Sequence, residues 1–377
     1  MCWGGKEMKV GIITFHNSYN CGSMLESYAI QKYVQYKGTD CEIINFSSEG
    51  QRDLYKIMKK NNSIKNIIRN CILLPHKKKL ELSNNKYEKF KKDNFKLSNE
   101  YKKVDEIEDY YDVVVAGSDQ IWNITIKDAD DAYFLNWVKK AKRVAYAPSF
   151  GAKKISNYTK DIKKYIDYLK SFNALSVREK NGQKWIKEMI GIDVPVLIDP
   201  TLLFNSTEYD KIIDNEYRIP SKEYIFFYCP QFNIAICKFV KKISKKYNLP
   251  VIAWSAKSYY LKGVNRYGFK LPEYESPAVY LKLIKNAKLV FTTSFHGSIF
   301  STIYKKNFYT IKNGEMYGDD DRVRTLLESL KMEDRLIPFE FDNEFDYMQN
   351  VNYSEYDENI KKLREKANLY IEKNICS

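Results

Sequence analysis

Three histidines in 377 residues cannot supply several histidine-built sites, and the seven cysteines are scattered, with no CxxC pair among them. A zinc site or a disulfide framework is therefore not expected, and the odd cysteine count fits a reducing compartment. The chain has neither a GxxxxGK[ST] loop nor a GxGxxG after a strand pattern, so nucleotide hydrolysis and nicotinamide chemistry lack local support. HExxH and GxSxG are missing too, which leaves metalloprotease and α/β-hydrolase readings without their motifs. No apolar run reaches the length of a membrane span, and MCWGGKE lacks the h-region of a signal peptide. These absences predict a cytoplasmic protein whose fold begins at Met8, residues 1–7 being an upstream extension.

Hydrophobic residues make up 44% of the chain and 31 tyrosines lead its aromatics, which excludes global disorder. The length exceeds what one core usually organises, so two domains are expected. Short continuous apolar runs alternate with helical patterns, as in parallel sheets covered on both faces, and predict two doubly wound α/β domains. Strands are read at Val10–Phe15, Glu42–Phe46, the VVVA run before Gly117, Arg143–Ala147, Ala174–Val177 and Val194–Ile198. Helices are read at Ser23–Tyr36, Ile155–Lys170 and Gly182–Met189. A polar stretch with Pro220 places a linker at 205–222, between an N-terminal domain (8–204) and a C-terminal one (223–350). The second half repeats the rhythm: YIFFYC, a helix from Ile234 to Lys245, PVIAWS, a helix over Pro277–Asn286, LVFTT, a helix over Gly297–Tyr304, and NFYTI. The last segment, 351–377, reads as a helix from Glu355 to Ile375 that crosses back over the first domain.

The formal charge of +14 is uneven. Between Gln51 and Lys103 there are 16 Lys and Arg against 5 Asp and Glu, a surplus of 11. This stretch reads as a basic helical excursion. It is either a solvated surface or a surface attracted to anionic lipid or to a lipid-linked polyanion, with peripheral association at the inner face of the membrane as the consequence. No nucleic-acid motif accompanies the charge, so no nucleic-acid partner is expected.

Six polar turns follow buried strand patterns: 16–23, 117–122, 149–151, 176–179, 199–201 and 293–298. Turns at the carboxyl ends of parallel strands, with helix N-termini behind them, suit anionic ligands. Two of the three histidines, His16 and His296, lie in such turns and can change protonation near neutral pH. Arg178 ends an apolar strand, where a guanidinium needs a partner. That partner is Glu179 or a group of the other domain, or else a bound carboxylate or phosphate. Asp199 and Asp119 read as turn caps.

These turns resemble those of the polysaccharide pyruvyl transferase family. The resemblance rests on NSYNCGSMLESYAIQKYV, VVVAGSDQIWN, YAPSFG, SVREKNG, VLIDPTLL, TTSFHGSIFSTIYKKNF and DDRVRTLLESL, in that order. It implies a GT-B-like pair of Rossmann-like domains and transfer of a pyruvyl group from phosphoenolpyruvate to a sugar of a cell-surface polysaccharide or its lipid-linked precursor, forming a cyclic ketal in bacterial exopolysaccharide biosynthesis. No cofactor or metal is implied beyond phosphoenolpyruvate as co-substrate. His296 and Arg178 are the implied catalytic pair, and Ser294, Gly297 and Ser298 belong to the donor side. Family members often carry arginine two residues before the histidine, where this chain has Ser294, so Lys312, Arg322 or Arg324 is expected to supply the missing cation. The acceptor side is assigned to His16, Asn17, Asn20, Gly22, Ser23, Ser118, Asp119, Gln120, Trp122 and Ser149. On these expectations Arg178→Ala abolishes stabilisation by phosphoenolpyruvate and leaves the protein folded. The alternatives are a GT-B glycosyltransferase using a nucleotide sugar and a non-catalytic glycan-binding relative.

Overall fold

A computed structural model describes residues 8–312, 321–338, 342 and 344–377. The proposed extension at 1–7 and the start of the DDRVR motif lie outside the described residues. The first half forms β1 (Lys9–Ile13), α1 (Cys21–Tyr36), β2 (Asp40–Phe46), α2 (Glu49–Tyr55), α3 (Ile64–Leu73), α4 (Lys77–Asn94), β3 (Leu97–Tyr101), β4 (Val113–Ala116), β5 (Lys142–Ala145), α5 (Ile162–Lys170) and α6 (Lys180–Ile190). After α7 (Ser206–Asp210) come β6 (Ile225–Tyr228), α8 (Ile234–Lys246), β7 (Val251–Trp254), α9 (Ala256–Leu261), α10 (Pro277–Asn286), β8 (Leu289–Thr292), α11 (Phe295–Ile303), β9 (Phe308–Ile311), α12 (Asp321–Leu330), β10 (Leu336–Ile337) and α13 (Ser354–Asn374).

Both sheets are parallel, in the orders β3-β2-β1-β4-β5 and β10-β9-β8-β6-β7. β1, β4, β6 and β8 are almost wholly buried, which explains why their sequences are apolar without alternation. In the first sheet the chain order reverses between β1 and β4, and in the second between β6 and β8. In such sheets the crevice at the reversal, beyond the carboxyl ends of the strands, is where ligands bind. The two doubly wound domains form the GT-B-like architecture expected from the sequence.

Some local readings differ. The strands read at Ala174–Val177 and Val194–Ile198 are single bridges, Val144 to Ala174 and Val177 to Val196. The basic excursion is helical through α2, α3 and α4 but ends in β3, a partly exposed edge strand whose polar LSNEY hides its strand character. The segment 205–222 packs against the core. Tyr209 and Tyr217 are buried in the core, and Glu208 accepts hydrogen bonds from Tyr28 and Tyr36, each at 2.9 Å. α13 does cross back: Arg364 donates to the carbonyls of Leu202 and Phe204 (2.7 and 2.6 Å), and the Tyr370 hydroxyl to that of Ala145 (3.0 Å).

Candidate functional site

The two reversal points face each other across one cavity of about 170 Å³. From the first domain Asn20, Ser23, Asp119, Gln120 and Arg178 line it. From the second come Tyr228, Pro230, Thr293, Ser294, Phe295, His296, Arg322 and Val323. A larger cavity of about 550 Å³ shares Asn20, Ser23, Asp119, Gln120 and Pro230 with it and continues past Tyr19, Tyr55, Tyr87, Asp128, Lys257 and Glu275.

Five buried ionisable groups converge at the small cavity. Arg178 Nη1 lies 2.8 Å from Asp199 Oδ2 and 3.5 Å from Glu26 Oε1, and Nη2 lies 3.9 Å from Asp119 Oδ1. The guanidinium stacks on Phe295, 4.4 Å from the ring centre. His296 Nε2 sits 3.4 Å from Glu26 Oε2 and 3.5 Å from Asp199 Oδ2. Arg178 is thus ion-paired, and it also lines a cavity. The acids closest to it are Asp199, Glu26 and Asp119, and Glu179 Oε1 accepts from Ser149 Oγ and Phe150 N (both 3.0 Å).

The pairing sets the protonation states. Burial alone pushes the His296 imidazole down, but Asp199 and Glu26 overcome it and raise its pKa to about 9. Burial is the largest cause raising Glu26 to about 8, reinforced by Asp199 and Asp119 and opposed by Arg178. For Asp199 burial acts upward, yet His296, Arg178 and Thr201 hold the carboxyl well below the ordinary range. The directions favour the protonated forms of His296 and Glu26 and the ionised form of Asp199. Asp199 is more than a turn cap: Oδ1 accepts from Thr201 N (3.0 Å), and Oδ2 holds the two cations.

Glu26 had not been singled out from sequence. The available signal was its helix: α1 is buried continuously from Cys21 to Gln31, and a carboxyl in the middle of an all-round buried helix needs a partner. Glu26, Asp199 and His296 present three metal-type ligands within 4.8 Å of one another. Arg178 already puts positive charge against the same two carboxylates, so a divalent cation would meet a guanidinium there.

Of the expected donor residues, Ser294 and Arg322 line the small cavity. Lys312 and Arg324 are exposed and do not line it. Gly297 and Ser298 turn inward. A Cβ on Gly297 would meet Thr292 Oγ1 at 2.2 Å, and Ser298 Oγ bonds Thr310 Oγ1 at 2.6 Å. His296 belongs to the first turn of α11 rather than to the loop before it, because Ser294 caps the helix by accepting from Gly297 N (3.3 Å).

Of the expected acceptor residues, Asn20, Ser23, Asp119 and Gln120 line both cavities. Asp119 sits in the left-handed region (φ +72°) and accepts from Ser23 Oγ at 2.5 Å and Gln120 N at 2.7 Å. That strained conformation at a cavity wall is typical of functional turns. The rest are corrected. His16 is fully buried, its Nδ1 3.2 Å from Thr14 O and its Nε2 3.0 Å from Asn45 Oδ1, and burial pushes its pKa down to about 4. It is a packed neutral imidazole away from the cavities. Asn17 accepts from Lys91 Nζ (2.7 Å). Ser118 donates to Ala147 O, Trp122 donates to Tyr133 O, and Ser149 is tied to Glu179, all of them buried.

Gly22 holds the domains together at the site instead of touching an acceptor. A Cβ there would fall 2.2 Å from His296 Nδ1, so α1 and α11 can meet only because residue 22 has no side chain. Gly22→Ala is expected to destabilise the protein by about 1–3 kcal/mol, as overpacking does, and to displace His296 and so lower turnover. Urea unfolding with a matched activity assay checks this. An unchanged midpoint with unchanged turnover would show that the ring yields freely.

No curated protein sequence matches the chain. Among solved structures, the UDP-GlcNAc 2-epimerase of Neisseria meningitidis is similar at a TM-score of 0.48 and 12% identity, over 96% of this chain and 100% of that one. S. aureus MnaA gives 0.49 and 13%, over 97% and 96%, and E. coli heptosyltransferase WaaC gives 0.38 and 11%, over 83% and 91%. A profile described as polysaccharide pyruvyl transferase matches residues 20–315, which include α1, Arg178, Asp199 and His296. The chain belongs to the polysaccharide pyruvyl transferase family.

Proposed function

We propose that the protein transfers the pyruvyl group of phosphoenolpyruvate to two hydroxyls of one sugar, forming a cyclic ketal. The observation that carries this reading is the small cavity, where Arg178, Arg322, His296 and the N-terminus of α11 meet. A compact molecule with a carboxylate and a phosphate matches that charge. The adjoining cavity, with its tyrosines and carboxylates, suits a sugar.

His296 delivers a proton to the methylene carbon, and positive character develops at the carbon that bears the phosphate oxygen. One sugar hydroxyl adds there, and His296 recovers a proton from it. The second hydroxyl then replaces phosphate. One hydroxyl proton ends in the new methyl group and the other leaves with inorganic phosphate. Arg178 fixes the ionised Asp199 and, with Arg322, balances the charge of the donor.

The test is phosphate release from phosphoenolpyruvate with a panel of pyranosides, each carrying a pair of neighbouring free hydroxyls. Release that depends on the pyranoside is the expected result. Nucleoside diphosphate release from a nucleotide sugar, with none of phosphate, would replace this reading with glycosyl transfer. Sugar binding without turnover of either donor would leave a glycan-binding protein.

A further inference from the structure

α3 is built inside out. Asn70 and Leu73 form its buried side, where Asn70 Nδ2 donates to Lys59 O at 2.7 Å and to Asn61 Oδ1 at 2.8 Å. Ile64, Ile67, Ile68 and Ile72 face outward, with Leu74 just beyond, and Ile64 and Ile68 are 77% and 55% exposed. One exposed isoleucine needs no explanation, but four on a single ten-residue helix form a patch that does.

Charge decides what covers it. From Leu54 to Leu80 the sequence holds eight Lys and Arg and no Asp or Glu. Asp53 pairs with Lys56 and Lys59, and Glu81 with Lys77. Lys60, Lys65 and Lys78 are exposed and make no ion pair among the described residues. A second copy of this face would bring like charge against like. Apolar side chains ringed by lysines match a helix lying in the plane of a bilayer, its isoleucines at the acyl boundary and its lysines among anionic headgroups.

We infer that α3 and the cationic segment around it form a docking surface for a bilayer bearing anionic headgroups. This inference stands on exposure and charge and does not need the pyruvyl reading. The surface also adjoins the larger cavity. Leu54, Tyr55 and Ile57, just before α3, line that cavity, as do Lys257, Ser258 and Leu261 of α9, on which α3 packs. A sugar carried at the membrane surface would thus be presented beside the cavity assigned to it.

The test is co-sedimentation of the full chain with phosphatidylcholine vesicles, with and without phosphatidylglycerol, at low and high salt. Binding to the anionic vesicles alone, lost at high salt, is expected. Ile68→Glu with Ile72→Glu, and separately Lys65→Glu with Lys78→Glu, should each weaken it by about tenfold or more. Their thermal midpoints should not move, because these side chains are exposed. Failure of the wild-type chain to bind anionic vesicles at low salt would overturn the inference, as would isoleucine variants that bind undiminished. A dimer that the isoleucine variants dissociate would assign the patch to a second copy. None of these readouts uses transferase activity, so failure of the proposed reaction leaves them interpretable.

Discussion

Replacing His296 with glutamine is expected to lower acceptor-dependent phosphate release by about 100-fold or more, the scale of losing a general acid or base. Glutamine keeps the size and hydrogen-bonding capacity of the side chain but cannot titrate. Donor binding should weaken far less, since Arg178 and Arg322 remain on the cavity wall. The same assignment fixes the pH profile. With its pKa raised to about 9 by Asp199 and Glu26 against the effect of burial, His296 stays protonated through neutrality, and the rate should fall as pH rises through that value. Asp199→Asn removes a negative charge 3.5 Å from Nε2, burial then gains, and the basic limb should move to lower pH. Turnover near wild type for His296→Gln would make the imidazole a packing group. A limb that stays in place in Asp199→Asn would remove His296 as its source.

His16 and His296 show where sequence reasoning stops. Each follows a buried parallel strand, and nothing local separates them. Sheet order does not separate them either, since β1 and β8 each flank a reversal; the direction of the side chain does, His16 turning to Asn45 of β2 and His296 to Glu26 and Asp199. That direction depends on partners distant in sequence, which a local pattern does not encode. The same reason explains why β1, β4, β6 and β8 were legible, as short apolar runs, and β3 was not, as a polar edge. It also explains why Arg178 could be picked out as needing a partner while Glu26 and Asp199, 152 and 21 residues away in sequence, could not be paired with it. Gly22 and Gly297 stand in the same position. Their presence near a site was readable, but the atoms that exclude a Cβ belong to other elements, His296 for one and Thr292 for the other.

Arg178→Ala is expected to destabilise the protein by about 3–5 kcal/mol, the cost of breaking a buried charge network from one side. The burial and pairing of Arg178 thus set this outcome against the expectation from sequence that the variant leaves the protein folded and loses stabilisation by phosphoenolpyruvate. The guanidinium is almost fully buried, and its removal leaves Glu26, Asp199 and Asp119 facing one another, with His296 still beside Glu26 and Asp199. The penalty has a sign in pH. Asp199, held low in the wild type partly by Arg178, rises once that charge is gone, so it contributes stability above the unfolded carboxylate range that the variant gives up. The difference in unfolding free energy should therefore be largest near neutral pH and shrink as pH falls and the buried carboxyls protonate in both proteins. Arg178→Lys restores a charge but not two nitrogens that reach Asp199, Glu26 and Asp119 at once, and should recover stability only in part. Urea unfolding of the three proteins at neutral and acid pH measures this directly. If Arg178→Ala unfolds at the wild-type midpoint at neutral pH, the cluster is not the structural keystone drawn here, and Arg178 would have to be read through donor binding alone.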